Sequence, residues 1–377
     1  MAQVEKRTQE LRDGSKSAVR WRVRYIAPDG KERNKSFLRK VDADRFAANV
    51  ETDKGRGEWI DPRLGRKTVE EWSQEWLAQL VHVRPKTMVG YQSLMRTCVL
   101  PTIGSMTLAR VDQPTVAAWV AALRARNLSA SRIRQAYRVL SGMLGAAVQA
   151  GYLAKSPCVG VKLPRIPQRD ATLLTAGQVD DLAAVATEPG PLIVYLLAYG
   201  GLRWGELAAI RRRRCDVLHS RIEIAEAASD VNGKLIYGPT KTYERRWVRL
   251  PGFLNEMIAR HLESSASDPD AFLFLGSRAA PLRYHSFRRA IWDPAIEAAG
   301  LSDQVTPHCL RHTCASLLVA AGADPVAVQR HLGHKDVTTT LNIYAGLFPN
   351  RLEEIVVALD AIYESQAERR SAGGGGR

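Results

Sequence analysis

Four segments in the second half of the chain hold side chains whose types and spacing suit chemistry on a phosphate. In Thr306-Pro307-His308-Cys309-Leu310-Arg311-His312, Thr306 is a good helix N-cap and Pro307 a good first helical residue. His308 and Arg311 then share one face of the first turns. Backbone N–H groups at that end, a guanidinium fork and an imidazole together make a phosphate site. Asp324-Pro325 opens a further helix that Gly333 closes, delivering His334 just beyond it, and Tyr344 lies ten residues later. Upstream, Gly201-Leu202-Arg203-Trp204-Gly205-Glu206 presents Arg203 directly after a glycine turn, with Glu206 on the same short helix face. Lys241 sits in Gly238-Pro239-Thr240-Lys241-Thr242, a predicted hairpin turn ahead of Arg245 to Leu250.

The same region admits a metal reading. His308, His312, His331 and His334, with Cys309 and Cys314, are all zinc-ligand types. There is no CxxC pair and the spacing matches no zinc site, so no metal is expected. Cys309 and Cys314 read more simply as small core residues. The five cysteines of the chain are scattered and odd in number, which is no disulfide framework.

The elements that must position these residues follow from periodicity. Thr175 with Gln178 opens a helix, a second apolar helix covers about Leu192 to Tyr199, and a short one runs from about Arg203 to Ile210. Residues 216–250 read as three strands with turns at Asp230–Gly233 and near Thr240–Glu244, and the remainder as helical to about Gln366. The tail, SAGGGGR, carries no structural signal. Lys155 to Arg169, with Pro157, Pro164 and Pro167, reads as a linker.

Ahead of that linker lies a helical segment. Thr68 and Glu71 form a capping box before Val69, Trp72, Trp76 and Leu80. A second helix runs from about Lys86 to Val99 and is stopped by Pro101, a third opens at Pro114, and a fourth covers about Ser129 to Ala150, ending at Gly151. The fourth carries Arg132, Arg134 and Arg138 beside Ile133, Tyr137, Leu140 and Leu144. Residues 18–37 alternate as two strands, with Val19, Trp21, Val23 and Tyr25 on one face and Arg20, Arg22 and Arg24 on the other. Lys31 to Phe37, including Arg33, forms the second strand, and a helix follows from Val41 to about Thr52.

The charge is uneven. The 377 residues hold 54 Lys plus Arg and 39 Asp plus Glu, a net charge of +15. Residues 1–65 carry 16 basic and 11 acidic side chains, residues 66–165 carry 14 and 4, and residues 166–377 carry 24 and 24. A basic half joined to a balanced half fits phosphate-backbone binding, because each neutralised phosphate releases counterions. The row of arginines on the first sheet suits a DNA groove. No apolar run approaches a membrane span and the N-terminus lacks a signal core, so a cytoplasmic protein is expected.

Taken in order, GLRWGEL, PTKT, HCLRHTCAS, LGH and the following Tyr resemble the tyrosine recombinase (phage integrase) family. The series R…K…HxxR…H…Y is highly specific, though some members place the Tyr nine residues after the last His. The resemblance implies a multidomain α+β chain. A small N-terminal three-stranded sheet plus helix (residues 1–65) would bind arm-type DNA sites, and an α-helical core-binding bundle (66–160) would clamp DNA. A mixed, mainly α catalytic domain with a small antiparallel sheet (161–366) would precede a flexible tail (367–377). Basic residues implied at the DNA are Arg20, Arg22, Arg24, Lys31, Arg33, Lys86, Arg132, Arg134 and Arg138.

The function implied is a site-specific recombinase that integrates or excises phage or mobile-element DNA through a 3′-phosphotyrosine, with no metal, ATP or other cofactor. Tyr344 would be the nucleophile, and Arg203 and Arg311 would hold the non-bridging oxygens. Lys241 would protonate the leaving 5′-oxygen. His308 and His334 would hydrogen-bond the phosphate, His308 also helping to deprotonate Tyr344, and Glu206 would orient its neighbours. Implied partners are double-stranded DNA attachment sites, three further copies in a homotetramer, an excisionase and a DNA-bending host factor, in the nucleoid of a bacterial cell. Residues 350–366, with Leu352, Ile355, Val356, Leu359 and Ile362, would pack on a neighbouring protomer. Three rivals stand beside this: a type IB topoisomerase of like chemistry, a DNA-binding regulator with a decayed site, and a zinc-dependent nucleic-acid protein.

Overall fold

Alternation in the first forty residues becomes a sheet. In the computed structural model, which describes residues 2–7, 19–26, 32–55, 66–167, 171–240, 244–264, 268–348 and 356–364, three strands pair antiparallel. They are β1 (Gln3–Arg7), β2 (Arg20–Ile26) and β3 (Glu32–Phe37), in the order β1-β2-β3. The register sets Trp21 opposite Phe37 and Arg24 opposite Asn34. Val23 and Tyr25 point to the face that α1 (Lys40–Gly55) covers with Ala43, Ala47 and Val50. On the other face Arg24 pairs with Glu5 at 3.2 Å and with Glu32, so this arginine is held by carboxylates on both neighbouring strands. Arg20 is exposed, and Lys31 lies outside the described residues.

The helical segment has its own core. α2 (Val69–Gln79) is opened by the Thr68–Glu71 capping box. α3 (Pro85–Leu94), α4 (Leu100–Ile103), α5 (Gln113–Ala125, capped by Asp112) and α6 (Ala130–Gln149, capped by Ser129) follow. Ile133, Ala136, Leu140, Met143 and Leu144 recur at helical spacing and are all buried, so α6 turns one face inward against Trp72, Trp76 and Trp119. Each of two buried indoles finds an acceptor: Trp119 donates to the Cys98 carbonyl (2.8 Å) and Trp72 to that of Met143 (2.9 Å). Arg138 and Lys86 are exposed and Arg132 is partly so. Arg134 donates to the Pro164 carbonyl at 2.7 Å, tying down the chain as it leaves the bundle.

Pro101 does not stop its helix. Residues 95–99 widen into a π-turn, and α4 resumes at Leu100 with Pro101 in its first turn, where a missing N–H leaves no bond unmade. The chain divides into two units, residues 1–168 and 169–377.

The second unit is mixed. α7 (Ala176–Val185) starts at the Thr175–Gln178 capping box, and α8 (Gly190–Ala198) and the single turn α9 (Trp204–Leu207) follow. Residues 215–249 form five strands rather than three. β4 (Cys215–Asp216), β5 (Arg221–Ile224) and β8 (Arg246–Arg249) make one sheet, and β6 (Glu226–Val231) and β7 (Lys234–Pro239) form a hairpin. β5 pairs with β8 across the intervening hairpin, a non-local pairing that turn residues do not announce.

α10 (Gly252–Glu263), α11 (Tyr284–Phe287), α12 (Asp293–Ala298), α13 (Pro307–Ala320), α14 (Pro325–Leu332) and α15 (Val337–Tyr344) complete the unit. The expected unbroken helical run is interrupted between α10 and α11, where bridges join Arg211 to Phe272 and Leu275 to Pro281. The main core gathers Ile193, Leu197, Leu207, Ile222, Phe274 and Trp292. A smaller cluster, Cys314, Ala315, Val328, Leu332 and Tyr344, joins α13, α14 and α15, so Cys314 is the core residue it was expected to be. Residues 356–364 form a helix whose Val356, Leu359 and Ile362 are exposed. Leu352 and Ile355 lie outside the described residues.

Candidate active site

Two glycine turns bring the site together. Gly201 (φ +63°) ends the turn after α8, and a Cβ there would lie 2.6 Å from Leu332 Cδ2 and 2.9 Å from Cys314 Sγ. Gly333 (φ +67°) caps α14, and a Cβ there would meet the Arg246 guanidinium at 2.8 Å. Both backbones therefore pass closely against other elements, and their carbonyls become acceptors. Arg203 donates to the Gly333 carbonyl at 3.0 Å. Arg311, 2% exposed, donates to the Gly201 carbonyl and, at 2.7 Å, to that of Leu332. Burial, with Arg203 nearby, lowers the Arg311 pKa to about 10, so it stays charged at neutral pH.

Glu206 sits beneath these arginines, 2% exposed. Its carboxylate accepts from the Arg203 backbone N–H (3.0 Å) and Arg203 Nη1 (2.8 Å), and from Arg246 Nη1 (3.1 Å) and Nη2 (2.8 Å). Burial alone would raise its pKa, but the Arg246 and Arg203 contacts overcome that and hold it at about 2.

Arg246 was not among the residues singled out from the sequence. A signal exists: Val248 faces inward on β8, so Arg246, two residues before it, shares the inward face. An inward arginine on a strand needs a buried carboxylate, and Glu206 is it.

The aromatic side of the pocket comes from α13, α14 and α15. Tyr344, the last residue of α15, is 1% exposed, and burial pushes its pKa up to about 12. The His334 ring stacks parallel to it with centroids 6.5 Å apart, and His334 Nδ1 meets the Thr340 hydroxyl at 2.9 Å. Burial, then Arg311 and Arg203, lowers the His334 pKa to about 4.

His308 lies on the accessible side. The surrounding protein, Arg311 and Arg203 hold its pKa below the ordinary imidazole value. The imidazole against the Tyr344 hydroxyl is that of His312, with Nδ1 at 2.7 Å, and the His308 ring touches His312 edge-on at 4.8 Å. The i, i+4 spacing of His308 and His312 on a helix would have flagged this pair.

The structure thus brings Arg203, Glu206, His308, Arg311, His334 and Tyr344 together. Lys241 lies outside the described residues. Thr240, just before it in the sequence, is buried and donates to the Glu244 carbonyl at 2.9 Å. Among the described residues no group of three His, Cys, Asp or Glu is placed to hold a metal ion, and no helix is long and apolar enough to cross a membrane.

Two guanidinium groups and two imidazoles around a buried phenol are an arrangement whose chemistry suits a phosphodiester. Comparison with known proteins points the same way. Residues 173–351 match the model of the phage integrase family. The integrase of Mycobacterium phage D29 is 28% identical over 327 residues, covering 82% of this chain and 83% of that protein. Tyrosine recombinase XerC of Oceanobacillus iheyensis is 28% identical over 257 residues, covering 67% and 81%. In fold, the chain is similar to the Tn1549 transposon integrase in complex with a circular intermediate DNA (TM-score 0.68, 20% identity, covering 78% of this chain and 99% of that one). It is also similar to a lambda integrase tetramer bound to a Holliday junction (TM-score 0.57, 19% identity, covering 88% and 93%). Residues 173–351 belong to the phage integrase family, and most of the chain is similar to phage integrases and tyrosine recombinases.

Proposed function

We propose that this site-specific DNA recombinase cuts and rejoins its DNA with Tyr344 as nucleophile. The observation that carries the reading is convergence. Arg203, Arg311, His308, His334 and Tyr344 come from separate turns and helices, yet they gather in one place: the two arginines bond the Gly201, Leu332 and Gly333 carbonyls, His334 stacks on Tyr344, and His308 lies near both arginines. Tyr344 attacks the scissile phosphorus, leaving a 3′-phosphotyrosine and a free 5′-hydroxyl. Arg203 and Arg311 hold the non-bridging oxygens, where charge builds in the transition state. His308 and His334 donate hydrogen bonds to the same oxygens. Lys241 supplies the proton to the leaving 5′-oxygen, a role that suits a titratable, mobile cation. Glu206, with Arg246, orients Arg203. The covalent link conserves the phosphodiester energy, so neither ATP nor Mg²⁺ enters the cycle.

The DNA substrates are attachment sites of phage or mobile-element DNA. Residues 1–65 serve arm-type sites, 66–160 clamp the core site and 161–366 carry the chemistry, with 367–377 as a tail. Four copies act together on two sites, with the segment 350–366 reaching a neighbouring protomer. An excisionase and a DNA-bending host factor set direction. A nicked core-site DNA incubated with the protein in EDTA should accumulate a covalent adduct. Tyr344→Phe should abolish the adduct and keep core-site binding; an adduct that persists in this variant refutes the assignment.

A further inference from the structure

Tyrosine is a poor nucleophile near neutral pH until it loses its proton, with an ordinary pKa of ~10. Here Tyr344 is 1% exposed, so water does not reach its hydroxyl readily. The side chain that does reach it is His312, whose Nδ1 lies 2.7 Å from the hydroxyl oxygen. The two rings meet edge to face, with centroids 5.7 Å apart. We infer that His312 is the catalytic proton acceptor for Tyr344. This inference rests on the reading of Tyr344 as nucleophile and assigns its deprotonation to His312 in place of His308.

The surroundings favour the acceptor form. Four charged or titratable groups face His312: His308 and Arg311 on its own helix, Tyr344 on α15 and His334 after α14. Burial, then His308 and Arg311, holds the His312 pKa down at about 4, so the ring is neutral at neutral pH. With the proton on Nε2, Nδ1 presents its lone pair to the phenol. A bound phosphodiester brings negative charge among the arginines. That relieves the repulsion keeping the ring neutral and raises its basicity where the phenol proton must go.

The step balances. The Tyr344 O–H bond breaks and its proton passes to His312 Nδ1. The phenolate oxygen bonds phosphorus as the P–O5′ bond breaks, and the 5′-oxygen takes a proton from the Lys241 ammonium. Rejoining runs in reverse, with His312 returning its proton to the leaving phenolate and the Lys241 amine accepting one from the attacking 5′-hydroxyl.

The test is the rate of adduct formation by the full-length protein on a nicked core-site DNA, measured from pH 6 to pH 9.5. In His312→Asn the amide lies near the position of Nδ1, so it can hold the hydroxyl but cannot take the proton. This variant should form adduct ~100-fold slower than wild type at pH 7. Its rate should climb about tenfold per pH unit as hydroxide replaces the missing base, closing most of the gap by pH 9. His312→Gln, which places its amide elsewhere, should show the same slope, and each slope is read within its own variant.

An undiminished rate in His312→Asn overturns the inference. So does equal slowing at every pH, which would make His312 a holder only. A hydroxide-dependent slope in His308→Asn and not in His312→Asn overturns it in favour of His308. Loss of adduct in Tyr344→Phe with no effect of His312→Asn refutes the base alone. An adduct that survives Tyr344→Phe refutes the nucleophile as well.

Discussion

Replacing Glu206 by Gln should cost the catalytic unit about 3 kcal/mol and should do so only above acidic pH. The carboxylate is 2% exposed and accepts four N–H bonds, two from Arg203 and two from Arg246. Its pKa is held at about 2 against an ordinary 4.5, a preference for the ionised form worth ~3 kcal/mol at neutral pH. An independent estimate agrees, since removing one partner of a buried ion pair leaves the other charge uncompensated at a cost of about 3–5 kcal/mol. In Glu206→Gln the amide keeps the shape, but two guanidinium groups face each other without an anion. For a unit of this size, ~3 kcal/mol corresponds to about 6–12 °C in melting temperature.

Because the folded pKa lies below the unfolded one, the stabilisation is fully present above about 4.5 and fades as pH falls towards 2. Calorimetric melts of wild type and Glu206→Gln at pH 7 should therefore differ by that interval, and the difference should shrink through pH 4 to about a quarter at pH 2.5. A difference below 2 °C at pH 7, or one that does not shrink in acid, refutes the reasoning. Adduct formation should fall further than stability does, because Arg203 loses the group that aims it.

Two other outcomes follow. Gly333→Ala places a Cβ at positive φ and 2.8 Å from the Arg246 guanidinium. It should lose ~1–2 kcal/mol of stability and, through displaced Arg246 and Arg203, slow adduct formation ~10- to 100-fold while core-site binding holds. Arg132→Ala and Arg138→Ala on α6 should each lower the slope of log binding constant against log salt by ~0.9, as measured by titration at several salt concentrations, with little change in adduct rate at saturating protein.

Local signals carried much of the architecture. Thr68–Glu71, Thr175–Gln178, Asp112 and Ser129 are caps readable within four residues, and each opens the helix it announces. The alternation of β2 and the apolar stripe of α6 are periodic and equally local. What the sequence hid depends on pairings far apart in the chain. β5 meets β8 across a hairpin, and only that register, with Ile224 opposite Arg246, turns Arg246 inward. Pro101 reads as a stop because the wide turn before it leaves no mark in residue types. His312 was weighed as one zinc ligand among six, and its bond to Tyr344 spans 32 residues.

The arrangement of charge explains why such a site can lie in the electrically balanced part of the chain. Arg203 and Arg246 converge on one carboxylate, that of Glu206, and take up its lone pairs. Arg311 is left with two backbone carbonyls and no carboxylate among the described ion pairs. The pocket therefore holds buried positive charge that the protein itself does not neutralise. Burial first, and then the neighbouring cations, lowers the pKa of Arg311 and those of His308, His312 and His334. On the proposed reading, an entering phosphodiester would supply the missing anion. The imidazoles would then be most basic, and the arginines most stable, with the substrate in place, directing binding energy to the reacting phosphate rather than to the surface.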